Sequence, residues 1–172
     1  DLGVLNLVNA VQKVQGKLIH ISTDYVFDGN NFLPYQELDE VNPIGVYGNT
    51  KRSGELAVIN SDIDGIVIRT SWLYSAYGNN FVDTIIKLFQ KNDKLNIVSD
   101  QLGSPTNAND LASSLLSIIR NNNFLKPYQA SDIYHYSNDG MCSWYDFAKE
   151  IAKISDDNCI IRSIDSKDYP QE

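Results

Sequence analysis

Two hydrophobic rhythms alternate along the first half of the chain. Leu2, Leu5, Val8 and Val11 recur at helical spacing and predict a helix over residues 2–14, with Gly16 as its stop. The run Lys-Leu-Ile-His-Ile-Ser over residues 17–22 reads as a short buried strand. The next stretch, from Thr23 to Val46, carries turn chemistry at Phe27-Asp28-Gly29, Pro34-Tyr35 and Asn42-Pro43 and predicts a long loop. A loop of that length in a compact domain is usually functional. A helix is predicted over residues 47–58, and Gly65-Ile-Val-Ile-Arg-Thr-Ser-Trp72 reads as a second buried strand, so that strand, helix and strand form a right-handed βαβ unit.

Asn80 then stands as an N-cap before an amphipathic helix over residues 81–89. A short strand is expected at 95–98 and an irregular loop at 100–106. The helix over 108–119 has Leu111, Leu115, Ile118 and Ile119 on its buried stripe. Tyr134-His135-Tyr136 reads as a small strand, and Ser143-Trp-Tyr-Asp146 resembles a capping box opening a helix over 144–154. The end, 160–172, shows little periodicity. No internal repeat, low-complexity tract or linker interrupts the chain.

Composition narrows the class. With 172 residues, 42% hydrophobic and 21% charged, the chain can bury a core and has the make-up of one ordinary soluble globular domain. No run of about eighteen apolar residues proposes a membrane span. The net charge of −8 argues against a nucleic-acid partner, which needs lysine and arginine clusters, but leaves room for a mononucleotide sugar gripped by a few local donors. Cys142 and Cys159 match neither a disulfide framework nor paired metal ligands. Unpaired thiols acting as small hydrophobes suit a reducing compartment, and a cytoplasmic location is expected. Asp1 opens the chain without a methionine, so these residues are expected to be a piece of something longer.

The candidate chemistry lies in Tyr47-Gly-Asn-Thr-Lys51 and Ser22-Thr-Asp-Tyr25. Residues four apart share a helix face, and an ammonium beside a phenol favours the phenolate, which makes a tyrosine a usable proton donor near neutral pH. Thr23 sits just past a buried strand, where ligands bind in open parallel sheets, and its hydroxyl can bond the same substrate oxygen. His20 and His135 read as satisfied structural histidines.

These residues belong to a longer ordered set. Ser22-Thr-Asp-Tyr-Val-Phe-Asp-Gly29, Val46-Tyr-Gly48 with Lys51 and Gly54-Glu55, Arg69-Thr-Ser-Trp-Leu-Tyr74, Asn80-Phe-Val82 and Asp100-Gln-Leu-Gly-Ser-Pro-Thr106 resemble the dTDP-4-dehydrorhamnose reductase family, a branch of the extended short-chain dehydrogenases. The resemblance implies an α/β fold: the C-terminal part of a Rossmann-like doubly wound parallel sheet with a small substrate-binding subdomain. Residues 1–76 would be the second half of the NAD(P)-binding domain, and 77–172 mainly the substrate subdomain with returning Rossmann elements. It also implies reduction of the C4 ketone of dTDP-4-dehydro-L-rhamnose by NADPH or NADH, with Mg2+ and a homodimer left open. Tyr47 would donate the proton, Lys51 would tune it and hold the nicotinamide ribose, Thr23 would orient the carbonyl, and Ser22 would join Tyr47 and Lys51 at the cofactor. Asp24, Tyr25 and Trp72 would lie near the deoxysugar, with Asn80 and Gln101 at the nucleotide sugar.

Two departures bear on this reading. Related sugar-nucleotide dehydratases resemble Thr-Asp-Glu where this chain has Tyr25, so elimination lacks its base. No glycine-rich dinucleotide turn occurs in these residues, and the 172 residues alone are expected to lack reductase activity. A non-catalytic regulatory subunit, as in the methionine adenosyltransferase beta subunit that resembles the same family, is the alternative. The complete Thr23, Tyr47 and Lys51 set favours catalysis.

Overall fold

The computed structural model describes residues 2–121 and 132–169. Asp1 and residues 170–172 lie outside them. In chain order the elements are α1 Leu2–Lys13, β1 Lys17–Thr23, α2 Val46–Ile59, β2 Asp64–Thr70, β3 Leu73–Tyr74, α3 Phe81–Phe89, β4 Lys94–Val98, β5 Leu102–Gly103, β6 Thr106–Asn107, α4 Ala108–Arg120, β7 Asp132–Tyr136, β8 Cys142–Ser143, α5 Trp144–Ile154 and β9 Ile160–Ile164. Short 3-10 turns occupy Asp24–Val26 and Ser166–Asp168. Contacts divide the described residues into two compact units, one of residues 2–70, 113–121 and 132–136, the other of residues 71–112 and 137–169. The chain leaves the first unit after Thr70, where β2 ends, and returns to it at Ser113.

The first unit is a parallel sheet in the order β1, β2, β7. Lys17 to Thr23 pair in register with Asp64 to Thr70, and Ile66 to Thr70 with Asp132 to Tyr136. β2 is buried from Gly65 onward, as its unbroken apolar run requires of a strand covered on both faces. Val8, Val58, Ile63 and Val67 form the core, flanked by Val4, Val11, Leu18, Ile59 and Ile133.

One terminator differs from expectation. α1 ends in a Schellman motif in which the left-handed residue is Gln15 (φ 51°), not Gly16. The Gly16 amide donates to the Val11 carbonyl (2.9 Å) and the Gln15 amide to that of Gln12 (3.2 Å), filling the last-turn acceptors.

In the second unit β4 pairs with β9, β3 with β6, and β5 antiparallel with β8. Strand β9 corrects the expectation of an irregular end: it alternates only weakly, yet its backbone pairs with residues 94–98 over its full length. Ile85, Phe89, Ala148, Ile151 and Ala152 form the core, with Cys159 packed against it as a small hydrophobe. Asn80 accepts from the Asp83 amide as the cap of α3, and Ser143 with Asp146 completes the capping box of α5.

Candidate active site

The parallel pairing of β1 carries Thr23 to the carboxyl end of the first sheet, and α2 begins there. Lys51 donates from Nζ to the Ile21 carbonyl at 2.6 Å, which anchors the half-buried ammonium against the last turn of the strand. Burial lowers the Lys51 pKa from its ordinary value, and the Glu55 carboxylate opposes that fall. One turn earlier, Tyr47 is 57% exposed. Its ring meets Tyr25 edge-on, with centroids 5.9 Å apart.

Gly48 explains why the helix can approach so closely. A Cβ there would overlap the Tyr25 carbonyl and crowd Pro43, so only glycine lets the first turn of α2 rest on the 3-10 turn at Asp24–Val26. The sequence named Gly48 only as part of a motif; its signal is a glycine inside a helix, where it costs stability unless a backbone must pass.

Thr23, 5% exposed, is engaged locally. Its hydroxyl accepts from the Tyr25 amide (3.2 Å) and donates to Asp24 Oδ1 (3.1 Å). Donation to a ligand oxygen therefore requires its proton to turn away from Asp24. Burial raises the Asp24 pKa against the pull of that hydrogen bond, and burial followed by the charges of Asp24 and Tyr47 raises that of Tyr25.

Behind this end lies a buried charge network that sequence reasoning missed. Ser22, Arg69 and His135 are in register across the three strands and so share one face. Glu55 of α2 lies against Arg69: it is 0% exposed and accepts from Arg69 Nε (2.8 Å) and Nη2 (2.9 Å) and from Arg52 Nη1 (2.9 Å). Burial alone would raise the Glu55 pKa; the bonds from Arg69 and Arg52, with the Ser22 hydroxyl nearby, outweigh it and hold the carboxyl below its ordinary value. The Ser22 hydroxyl sits beside that carboxylate without a hydrogen bond of good geometry and is sealed from solvent. Arg69, 3% exposed, also lies over Phe27 (5.0 Å) and donates to the Glu37 carbonyl (3.4 Å). Glu37 accepts from the His135 amide (3.0 Å) and Phe27 stacks on Tyr35. The long loop after Thr23 is thus pinned to the sheet from beneath.

The second unit holds the other expected site residues. Trp72 falls outside the strand expected to include it: β2 stops at Thr70, and Trp72 takes φ 46°, a left-handed conformation that ends the extended run. Its ring stacks on Trp144, centroids 3.4 Å apart and planes 8° off parallel. The Asn80 carboxamide serves α3 and also donates to the Ser75 carbonyl (2.9 Å). Gln101 accepts from Trp144 Nε1 (3.3 Å) and donates to Ser166 Oγ (3.0 Å). Among the described residues no group of three or more His, Cys, Asp or Glu side chains could hold a metal, and no helix is long and apolar enough to cross a membrane.

Tyr47 and Lys51 thus stand one turn apart on the helix that follows a parallel strand ending in Thr23, within an α/β unit of Rossmann-like order. The whole chain, residues 1–172, matches the model of the RmlD substrate binding domain, and the chain belongs to that family. It is 40% identical over 172 residues to a dTDP-4-dehydrorhamnose reductase of Sinorhizobium fredii, covering 98% of this chain and 58% of that protein. Among solved structures it is similar to a dTDP-4-dehydrorhamnose reductase ortholog of Clostridium acetobutylicum (39% identity, TM-score 0.90, 98% of this chain and 57% of that one). It is also similar to the Bacillus anthracis dTDP-4-dehydrorhamnose reductase in complex with NADP (36% identity, TM-score 0.89, 99% and 59%). The chain spans a little over half the length of these relatives.

Proposed function

We propose that the protein carrying this chain reduces the C4 ketone of dTDP-4-dehydro-L-rhamnose to the alcohol of dTDP-L-rhamnose. The anchoring of Lys51 to the Ile21 carbonyl, which sets Lys51 and Tyr47 at the carboxyl end of β1, carries this reading. A nicotinamide cofactor, NADPH or NADH, supplies the hydride when bound.

The residues present fit such a group. Lys51 spends one N–H on Ile21 and keeps others for a ribose hydroxyl. Tyr47 is open to a ligand on the same side of its helix. The buried Ser22 hydroxyl faces Glu55, so Ser22 meets the cofactor through its main chain.

Tyr47 delivers its phenolic proton to the sugar O4 as negative charge builds there, and the Lys51 ammonium stabilises the phenolate left behind. Thr23 rotates its hydroxyl from Asp24 to the same oxygen and holds the carbonyl in line. Asp24, Tyr25 and Trp72 border the deoxysugar, while Asn80 and Gln101 contact the nucleotide sugar.

The test is Tyr47→Phe in the protein carrying this chain. General acid catalysis contributes roughly 10²–10⁴-fold, so ketosugar-dependent NADPH oxidation drops by that order while NADPH binding, followed by its fluorescence, persists. Retention of most turnover would overturn the assignment of the proton donor.

A further inference from the structure

Trp72 occupies a backbone conformation that a residue with a Cβ adopts only when its surroundings enforce it. The enforcement is visible on both sides. Ser71 Oγ donates to the Ser104 carbonyl at 2.7 Å, and the Trp72 carbonyl accepts from the Thr106 amide at 3.2 Å. A Cβ on Gly103 would fall on the Trp72 indole, so the chain passes the ring with backbone alone. An aromatic serving only to fill a core has no need of a strained backbone and a glycine neighbour; such strain gathers where a side chain must be held in one orientation.

Trp144 holds it there. It is the first residue of α5, whose capping box fixes its position. Its indole lies parallel on that of Trp72, its Nε1–H donates to the Gln101 carboxamide, and its ring meets Phe81 at 4.5 Å, the first residue of the helix that Asn80 caps. One side chain therefore touches Trp72 and Gln101 directly and the Asn80 helix at its opening.

We propose that Trp144 is the positioning residue of a sugar-recognition platform in the second unit: by stacking on Trp72 and orienting the Gln101 carboxamide, it sets the preference for a nucleotide bearing a 6-deoxysugar over the bare nucleoside diphosphate. This rests on the reading above that Trp72 contacts the sugar. Trp144 itself need not touch ligand.

The readout is the ratio of Kd for dTDP to Kd for dTDP-L-rhamnose, by calorimetry on the protein carrying this chain. Aromatic contacts of this kind are worth on the order of three- to tenfold in affinity. Trp144→Ala and Trp144→Leu lower the ratio by about that factor through weaker dTDP-L-rhamnose binding, with dTDP affinity held within about twofold. Trp144→Phe, which keeps a stacked ring, retains most of it. Both tryptophans of these 172 residues are in this stack, so in the protein carrying this chain the part of the intrinsic fluorescence that Trp144→Phe removes changes on adding dTDP-L-rhamnose and much less on adding dTDP. A wild-type signal blind to the sugar, or an unchanged ratio in a folded Trp144→Leu variant, overturns the inference. Trp72→Ala separates the two readings: if it also leaves the ratio unchanged, the sugar assignment of Trp72 is what fails, whereas a ratio lost in Trp72→Ala and kept in Trp144→Leu removes Trp144 alone.

Discussion

Replacing Glu55 by glutamine isolates the interaction that fixes the Tyr47 helix to its sheet. Glu55 is 0% exposed and accepts three guanidinium hydrogen bonds of 2.8–2.9 Å, two of them from Arg69, itself 3% exposed. Glutamine keeps the volume but removes the charge and turns an N–H₂ toward an arginine. A buried guanidinium stripped of its partner costs about 3–5 kcal/mol. The Phe27 ring and the Glu37 carbonyl stay beside Arg69 and place the expected loss toward the lower end of that range. Glu55→Leu with Arg69→Met removes both charges, and such a pair is expected to recover most of the loss. Urea unfolding by circular dichroism reads the change. Tryptophan fluorescence serves as a contrast, because Trp72 and Trp144 both belong to the second unit. Since the pair is out of solvent, about 0.5 M salt leaves the difference in place. A Glu55→Gln loss below about 1 kcal/mol, or a double variant no better than the single one, would refute the reasoning.

Three further outcomes follow from the same structure. Gly48→Ala forces a methyl onto the Tyr25 carbonyl and is expected to cost about 1–3 kcal/mol in urea unfolding; a silent substitution would contradict the close packing of α2. Gln15→Gly relieves the left-handed residue of the α1 terminus and should stabilise by about 1 kcal/mol, read as a higher urea midpoint. Burial, joined by Lys51, holds His20 below its ordinary 6.5, and burial, opposed by Glu37, does so for His135. Below about pH 6.5 the unfolded chain therefore binds more protons than the folded one, so the urea midpoint falls between about pH 7 and 5.5. A flat midpoint across that window would exclude both histidines as its source.

The sequence revealed what local pattern encodes. The unbroken apolar run of β2, the Asn80 cap and the Ser143–Asp146 box are all short-range signals, and each element formed within a residue or two of its expected limits. What it hid depends on residues far apart in the chain. Strand β9 shows no clear alternation because it is only partly buried and takes its order from pairing with residues 94–98. Glu55 and Arg69 were visible as motif letters, but their union joins a helix to a strand and has no spacing rule. Trp144 read as the start of a helix, and nothing local disclosed that its ring would lie on Trp72. At α1 the glycine after the helix matches the usual terminator, yet the left-handed position falls on Gln15.

Isotope transfer measures directly whether hydride reaches the sugar C4 while Tyr47 supplies the proton. With NADPH carrying deuterium at the reactive nicotinamide carbon and dTDP-4-dehydro-L-rhamnose as substrate, the protein carrying this chain is predicted to yield dTDP-L-rhamnose with one deuterium at C4, and its Tyr47→Phe variant to yield almost none. Unlabelled product, or labelled product formed equally well by the variant, would contradict it.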